Sequence, residues 1–198
     1  MASSVAGHKR AFGSDTVPGL YEDFELADLV VLVGSNLAWC HPVLFQRLEA
    51  AKRARPGMKI VVVDPRRTDT CDIADLHLAI RPGSDVALFN GLLVELHRRG
   101  VAATCFVDRH TAGIEEALTA ARAGDPALCG LTAADIAIFF DWFARSEKSV
   151  TLYSQGVNQS SAGADKVNAI INCHLLTGRI GRPGMGPFSI TGQPNAMG

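Results

Sequence analysis

Two short runs constrain the fold more than anything else in the chain: Leu29-Val-Val-Leu-Val33 and Lys59-Ile-Val-Val-Val63. Both are apolar almost throughout rather than at every second residue. Both faces of each strand must then be covered, as happens in parallel strands packed between helices. Between them His41-Pro42 opens a helix that runs to about Arg55, with Pro42 suited to its first turn and Val43, Leu44, Leu48 and Ala51 on one face. Pro56-Gly57 ends it, and strand, helix and strand form a βαβ unit with a right-handed crossover.

The exits of these strands carry the chemistry, because ligands of open α/β sheets sit beyond the carboxyl ends of the strands. Gly34 lets backbone N–H groups approach an anion, and Ser35 and Asn36 add short hydrogen-bonding side chains, although the same tripeptide also serves as a plain βα turn. Asp64 closes the second strand where nucleotide-binding βαβ folds place a ribose-binding acid. The interval from Gly34 exceeds the usual roughly 20 residues and G-x-G-x-x-G is absent, so the ordinary dinucleotide fingerprint matches poorly. In Pro65-Arg66-Arg67-Thr68 two guanidinium groups could clamp phosphate or stack on a base, or could form a solvated loop held by surface ion pairs.

Leu76–Ile80 reads as a third strand, left through Arg81-Pro82-Gly83-Ser84-Asp85 into an amphipathic helix with Val86, Phe89, Leu92, Leu93 and Leu96 on one side. Ser84 or Asp85 can cap that helix, and Arg98-Arg99-Gly100 ends it. Short helices follow over Ala102–Ala123. A capping box at Thr132–Asp135 then precedes Ile136, Phe139, Phe140 and Phe143, whose helical spacing marks core. Val150–Tyr153 is a further strand with a polar exit containing Gln155 and Gln159, and a helix from about Ala162 to Thr177 turns Val167, Ile170, Ile171 and Leu175 inward. Of the six histidines, His174 on that helix reads as structural, and only His41 stands near a strand exit. Residues 1–21 suggest a loop or short helix, and residues 179–198, rich in Gly and Pro, an irregular extension. The fold class expected is α/β: a Rossmann-like, mostly parallel sheet flanked by helices.

Nineteen basic against twenty acidic residues leave a net charge of −1, which gives no field for nucleic acid or an anionic membrane. No apolar run reaches membrane-spanning length, and no signal-peptide pattern opens the chain. Five scattered cysteines without a C-x-x-C pair suit reduced thiols in a cytoplasmic protein and provide no zinc or iron–sulfur site in this chain. G-x-S-x-G, H-E-x-x-H and a Walker loop are all absent. Four strand exits brought to one sheet edge point instead to a large, anionic, nucleotide-bearing ligand.

Several runs in order resemble the catalytic subunits of molybdopterin-dependent oxidoreductases. These are Met1-Ala-Ser-Ser-Val-Ala-Gly7, Val33-Gly-Ser-Asn-Leu-Ala-Trp-Cys-His-Pro42, Asp64-Pro-Arg-Arg-Thr68, Arg81-Pro-Gly-Ser-Asp85, Gly156-Val-Asn-Gln159, His174-Leu-Leu-Thr-Gly-Arg-Ile180 and Gly192-Gln-Pro-Asn-Ala196. Within that family the chain is most like bacterial assimilatory nitrate reductases and similar to the periplasmic ones. The resemblance implies a molybdenum bis(molybdopterin guanine dinucleotide) cofactor, a [4Fe-4S] cluster ligated outside this chain, an electron-donor protein or reductase subunit as partner, and reduction of nitrate to nitrite by oxygen-atom transfer. Its cofactor-contact segments fall on Val33, Gly34, Ser35, Asn36, Leu37, Ala38, Trp39 and Cys40; on Asp64, Pro65, Arg66, Arg67 and Thr68; on Gly83, Ser84 and Asp85; and on Gln155 and Gln159. Asp64 would bind a guanosine ribose and Asp85 a base or ribose edge. The family's molybdenum-ligating cysteine precedes a Met-Ala-Ser run, which sets it just before Met1. The chain is therefore expected to be an internal piece, truncated at both ends and inactive alone. Formate dehydrogenases, the nearest rival, generally place His after the metal-binding residue, where this chain has Met1. A non-catalytic nucleotide-binding module is the other alternative.

Overall fold

The computed structural model describes residues 2–190. It opens with helix α1 (Ala2–Phe12) and a single turn α2 (Asp23–Leu26), and then alternates strands and helices. In order these are β1 (Leu29–Val33), α3 (Leu37–Cys40), α4 (Pro42–Ala54), β2 (Lys59–Val63), β3 (Leu76–Leu78), α5 (Asp85–Arg98), α6 (Thr104–His110), α7 (Ile114–Arg122), α8 (Ala133–Arg145), β4 (Ser149–Tyr153), α9 (Gln155–Asn158), α10 (Gly163–Leu176) and β5 (Gly186–Ser189). The strands form one parallel sheet in the order β3-β2-β1-β4-β5. The winding reverses between β1 and β4, and such a switch point opens a crevice at the carboxyl ends of the strands.

Both sides of the sheet are covered, which accounts for the unbroken apolar runs. Leu29, Val31 and Val33 share a core with Leu88, Leu92, Phe139, Phe143 and Ile170 of α5, α8 and α10. Val30 and Leu32 point the other way, into a second core with Phe24, Leu44, Leu48 and Phe188. All five residues of β1 are buried. The N-cap half of the expected capping box forms, since Thr132 Oγ1 accepts the Asp135 N–H at 3.1 Å, while the Asp135 carboxylate accepts from the Thr132 hydroxyl at 2.7 Å. His174 is structural as its position suggested: its Nε2 lies 2.8 Å from Thr151 Oγ1, and its ring meets Phe143 edge-on at 5.4 Å.

Two stretches differ from the sequence reading, and a third, residues 1–21, takes the helix of its two alternatives. The third strand stops at Leu78, because the Ile80 N–H bonds back to the Leu78 carbonyl and turns the chain off the ladder. The opening segment is a full helix of 11 residues. Its small residues give little apolar periodicity but allow close packing on α10: a β-carbon on Gly7 would lie 2.5 Å from Val167 Cγ1, and one on Gly163 2.5 Å from Ser3. The segment 179–198, expected to be irregular, contributes β5, which pairs in parallel with β4 from Val150↔Gly186 to Tyr153↔Ser189. Gly186 and Pro187 hide that strand from propensity reasoning. An edge position tolerates them because only one side of the strand must bond. The run Gly192–Ala196 lies outside the described residues.

Candidate cofactor site

Strand register builds the site. Val33 is level with Val63 on one side and Tyr153 on the other, and Val63 is level with Leu78. Gly34, Asp64 and Ser154, each the next residue along, therefore form a row across the switch point. Backbone bonds hold that row: Gly34 N–H to Val63 O at 2.9 Å, Ser154 N–H to Val33 O at 3.2 Å and Gly156 N–H to Gly34 O at 3.0 Å. Gly34 has φ +54°, and it and Gly156 touch through their α-carbons, so neither position has room for a side chain.

Above this row lies a cavity of about 510 Å³, a size suited to a nucleotide-like ligand. Gly34, Asn36, Cys40, Asp64, Pro65, Arg66, Gly83, Asp85 and Gln155 line it, so each of the four exits contributes. Asp64 is buried, and its Oδ1 accepts the Arg66 N–H at 2.8 Å, a local turn that folds the arginine loop over the strand end. The guanidinium of Arg66 stays exposed, 4.0 Å from that carboxylate. From beneath, His77 Nε2 donates to the Asp64 carbonyl at 2.9 Å.

Asp85 starts α5 and is also buried, with Oδ2 2.7 Å from Lys166 Nζ. That lysine, 4% exposed, lies 3.4 Å from the Gly156 carbonyl and lines the same cavity. Neither expected cap forms on α5: Ser84 Oγ donates to the Arg81 carbonyl at 2.6 Å instead, and Asp85 turns to the lysine. Gln155 Oε1 is buried without a hydrogen-bond partner among the described residues. Acids and bases on the wall balance, Asp64 and Asp85 against Arg66 and Lys166. With Lys166 committed to Asp85, Arg66 is, among the described residues on this wall, the cation left for an anionic group.

The other expected contacts stand off the cavity. Val33 and Leu37 are core, and Ser35 is buried with its hydroxyl unpartnered among the described residues. Ala38 and Trp39 line a neighbouring groove, because three bonds pin their segment to the turn at Asp69–Ile73. These are Ala38 N–H to Thr70 Oγ1 at 3.1 Å, Thr70 Oγ1 to Asn36 Oδ1 at 3.1 Å and Trp39 Nε1 to Asp69 Oδ2 at 2.6 Å. Arg67, Thr68, Ser84 and Gln159 are not on its wall, and neither is His41. Lys166 was missed by sequence reasoning. Its signal was present: it shares a buried stripe with Ile170 and Cys173, where a lysine is out of place unless paired.

Below the exit, Tyr153 is fully buried, and its hydroxyl is hydrogen-bonded to His8 Nε2 at 2.5 Å. Burial pushes the Tyr153 phenol up and His8 down, the latter against the opposing pull of Asp15. Among the described residues no group of three His, Cys, Asp or Glu side chains converges on a metal position, and no helix is long and apolar enough to cross a membrane.

The family model for molybdopterin oxidoreductases matches residues 2–197. The chain belongs to the molybdopterin oxidoreductase family. A nitrate reductase of Klebsiella oxytoca is 55% identical over the whole chain, which covers 23% of that relative, and one of Shewanella frigidimarina is 47% identical over the whole chain and 22% of its length. The alpha subunit of an F420-dependent formate dehydrogenase from Methanocaldococcus jannaschii is 33% identical, again over all of this chain and 30% of its own. This molybdopterin oxidoreductase chain thus spans under a third of the length of these curated relatives. Its fold is that of the acetylene hydratase from Pelobacter acetylenicus, with a TM-score of 0.71 over 87% of this chain and 23% of the other at 24% identity.

Proposed function

We propose that this chain is the dinucleotide-binding portion of a molybdenum nitrate reductase catalytic subunit and holds part of a bis(molybdopterin guanine dinucleotide) cofactor. The observation that carries the reading is the convergence of four strand exits on one cavity, in a chain related along its whole length to nitrate reductases. The wall fits such a group. Gly34 and Gly156 pack backbone to backbone and bring main chain, with no side chain, to the cavity wall, Asp64 offers a buried carboxylate to ribose hydroxyls, and Asp85 and the unpartnered Gln155 Oε1 offer acceptors to a base or ribose edge. Arg66, exposed on the same wall, would offer its guanidinium to a diphosphate. When bound, the molybdenum centre supplies two-electron oxygen-atom transfer, turning nitrate, two electrons and two protons into nitrite and water.

The chain's own residues bind and orient; the metal ligand, a [4Fe-4S] cluster and the docking surface for an electron donor belong to the rest of the subunit, and this portion alone is inactive. Its five free thiols favour a reducing, cytoplasmic setting. The formate dehydrogenase relative supports a second reading, formate oxidation on the same scaffold.

The test uses the polypeptide expressed from its native gene, assayed for molybdenum, guanine nucleotide and activity. Nitrite formation from nitrate with reduced viologen is the expected result. Formate oxidation in its place selects the second reading, and protein devoid of both molybdenum and guanine nucleotide overturns both in favour of a non-catalytic module.

A further inference from the structure

The Lys166–Asp85 pair is the one buried ion pair on the cavity wall, among the described residues, that joins two separate elements. Lys166 rises from the first turn of α10 and Asp85 from the first residue of α5; both side chains are nearly solvent-free, at 4% and 7% exposure. A bond to the Gly156 carbonyl at 3.4 Å extends the link to the exit of β4, and Gly156 in turn abuts Gly34 at the exit of β1. One ammonium thus joins two of the four segments around the cavity directly, and a third lies against the second.

A buried ion pair is a poor way to stabilise a fold, since apolar residues of similar volume do as well or better there. Its place on the wall gives it another use. An ionised carboxylate accepts hydrogen bonds and donates none, whereas a neutral carboxylic acid donates one. The charges facing Asp85 are Lys166 on α10 and, lining the same cavity, Asp64 and Arg66; Arg66 already lies beside Asp64. Lys166 is therefore the countercharge committed to Asp85.

We propose that Lys166 is a positioning residue that, by gripping Asp85 Oδ2 and the Gly156 carbonyl, holds the Asp85 carboxylate as a fixed acceptor, so that the cavity takes a base or ribose edge presenting N–H or O–H donors. The inference rests on the cofactor reading given above. It extends that reading to a residue that never reaches the ligand through its own charge, since that charge is spent on Asp85.

The test measures guanine nucleotide released by acid per polypeptide, together with the thermal midpoint of cofactor-free protein, in protein expressed from the native gene. Lys166→Met is expected to lower the nucleotide at least tenfold and to depress the midpoint, because Asp85 is left buried and unpaired. Lys166→Met combined with Asp85→Asn removes both charges and is expected to restore the midpoint but not the nucleotide. Recovery of both by the double variant would show a merely structural pair and overturn the proposal, as would normal nucleotide in Lys166→Met. Absence of guanine nucleotide from the unsubstituted protein would instead bring down the cofactor reading itself, and the proposal with it.

Discussion

Gly34 and Gly156 meet backbone to backbone: a β-carbon on Gly156 would lie 2.7 Å from the Gly34 α-carbon, and one on Gly34 2.8 Å from the Gly156 α-carbon. The neighbours are main chain and cannot swing aside, and Gly34 also needs its φ of +54°. Alanine at either position should cost about 2–4 kcal/mol by urea unfolding, from crowding and, at Gly34, left-handed strain. Gly57→Ala, with nothing within 4 Å of its added carbon, is the control and should be neutral.

Asp64 sits at a strand end rather than in a core, and its carboxylate accepts one hydrogen bond, from the Arg66 N–H, beside a long ion pair at 4.0 Å to the exposed guanidinium of the same residue. Asp64→Ala should therefore lower unfolding free energy by only about 1 kcal/mol, the worth of one hydrogen bond. Cofactor occupancy, measured as molybdenum and guanine nucleotide per polypeptide, should fall several-fold. Full occupancy would remove Asp64 from the binding wall.

His174 makes stability depend on pH. Burial pushes its pKa down to about 3, so the folded protein refuses a proton that the unfolded chain accepts below about pH 6.5. The stabilisation is complete above pH 6.5 and is lost progressively as pH falls towards 3, at about 1.4 kcal/mol per pH unit. Between pH 7 and pH 5 unfolding free energy should drop by about 2 kcal/mol from this group, with His8, also lowered by burial, adding in the same direction. A His174→Asn variant should show a shallower slope, and an equal slope would acquit the histidine.

Arg179 is a buried guanidinium that donates to the Phe143 carbonyl at 2.9 Å and the Ser146 carbonyl at 2.6 Å and lies over the Phe143 ring. Those carbonyls end α8, just before the amino end of β4 and away from the cavity, which lies at the carboxyl ends of the strands. Arg179→Met should cost about 2–4 kcal/mol through acceptors left without donors, while cofactor content per folded polypeptide stays unchanged. A selective loss of cofactor would place Arg179 in the binding machinery.

The β-branched runs at Leu29–Val33 and Lys59–Val63 made the parallel sheet legible, because a strand buried on both sides leaves no polar alternation. Two of the four exits were legible for the same reason: where those runs stop, the chain must turn at the carboxyl edge of the sheet. Which side chains face inward was harder to read. Trp39 shares a segment with Asn36 and Cys40, yet its bond to Asp69 holds it in the next groove. Lys166 was hidden by being a charge in an apolar stripe, which becomes intelligible only once Asp85 is seen 2.7 Å away. β5 was illegible because Gly186 and Pro187 are admitted by its edge position, a fact of sheet order rather than of local sequence.

The pairing of β1 with β4 also sets an order of events. Lys148 N–H reaches Asp28 Oδ2 across a separation of 120 positions in the chain, and the Gly34–Gly156 contact depends on the same closure. A ribosome that has delivered β1, β2 and β3 has made most of one wall and none of the switch point. Only after the chain through Lys166 has emerged and docked does the cavity exist. Long-range closure of this kind is slow, and β1 waits for a neighbour that lies 120 positions further along the chain.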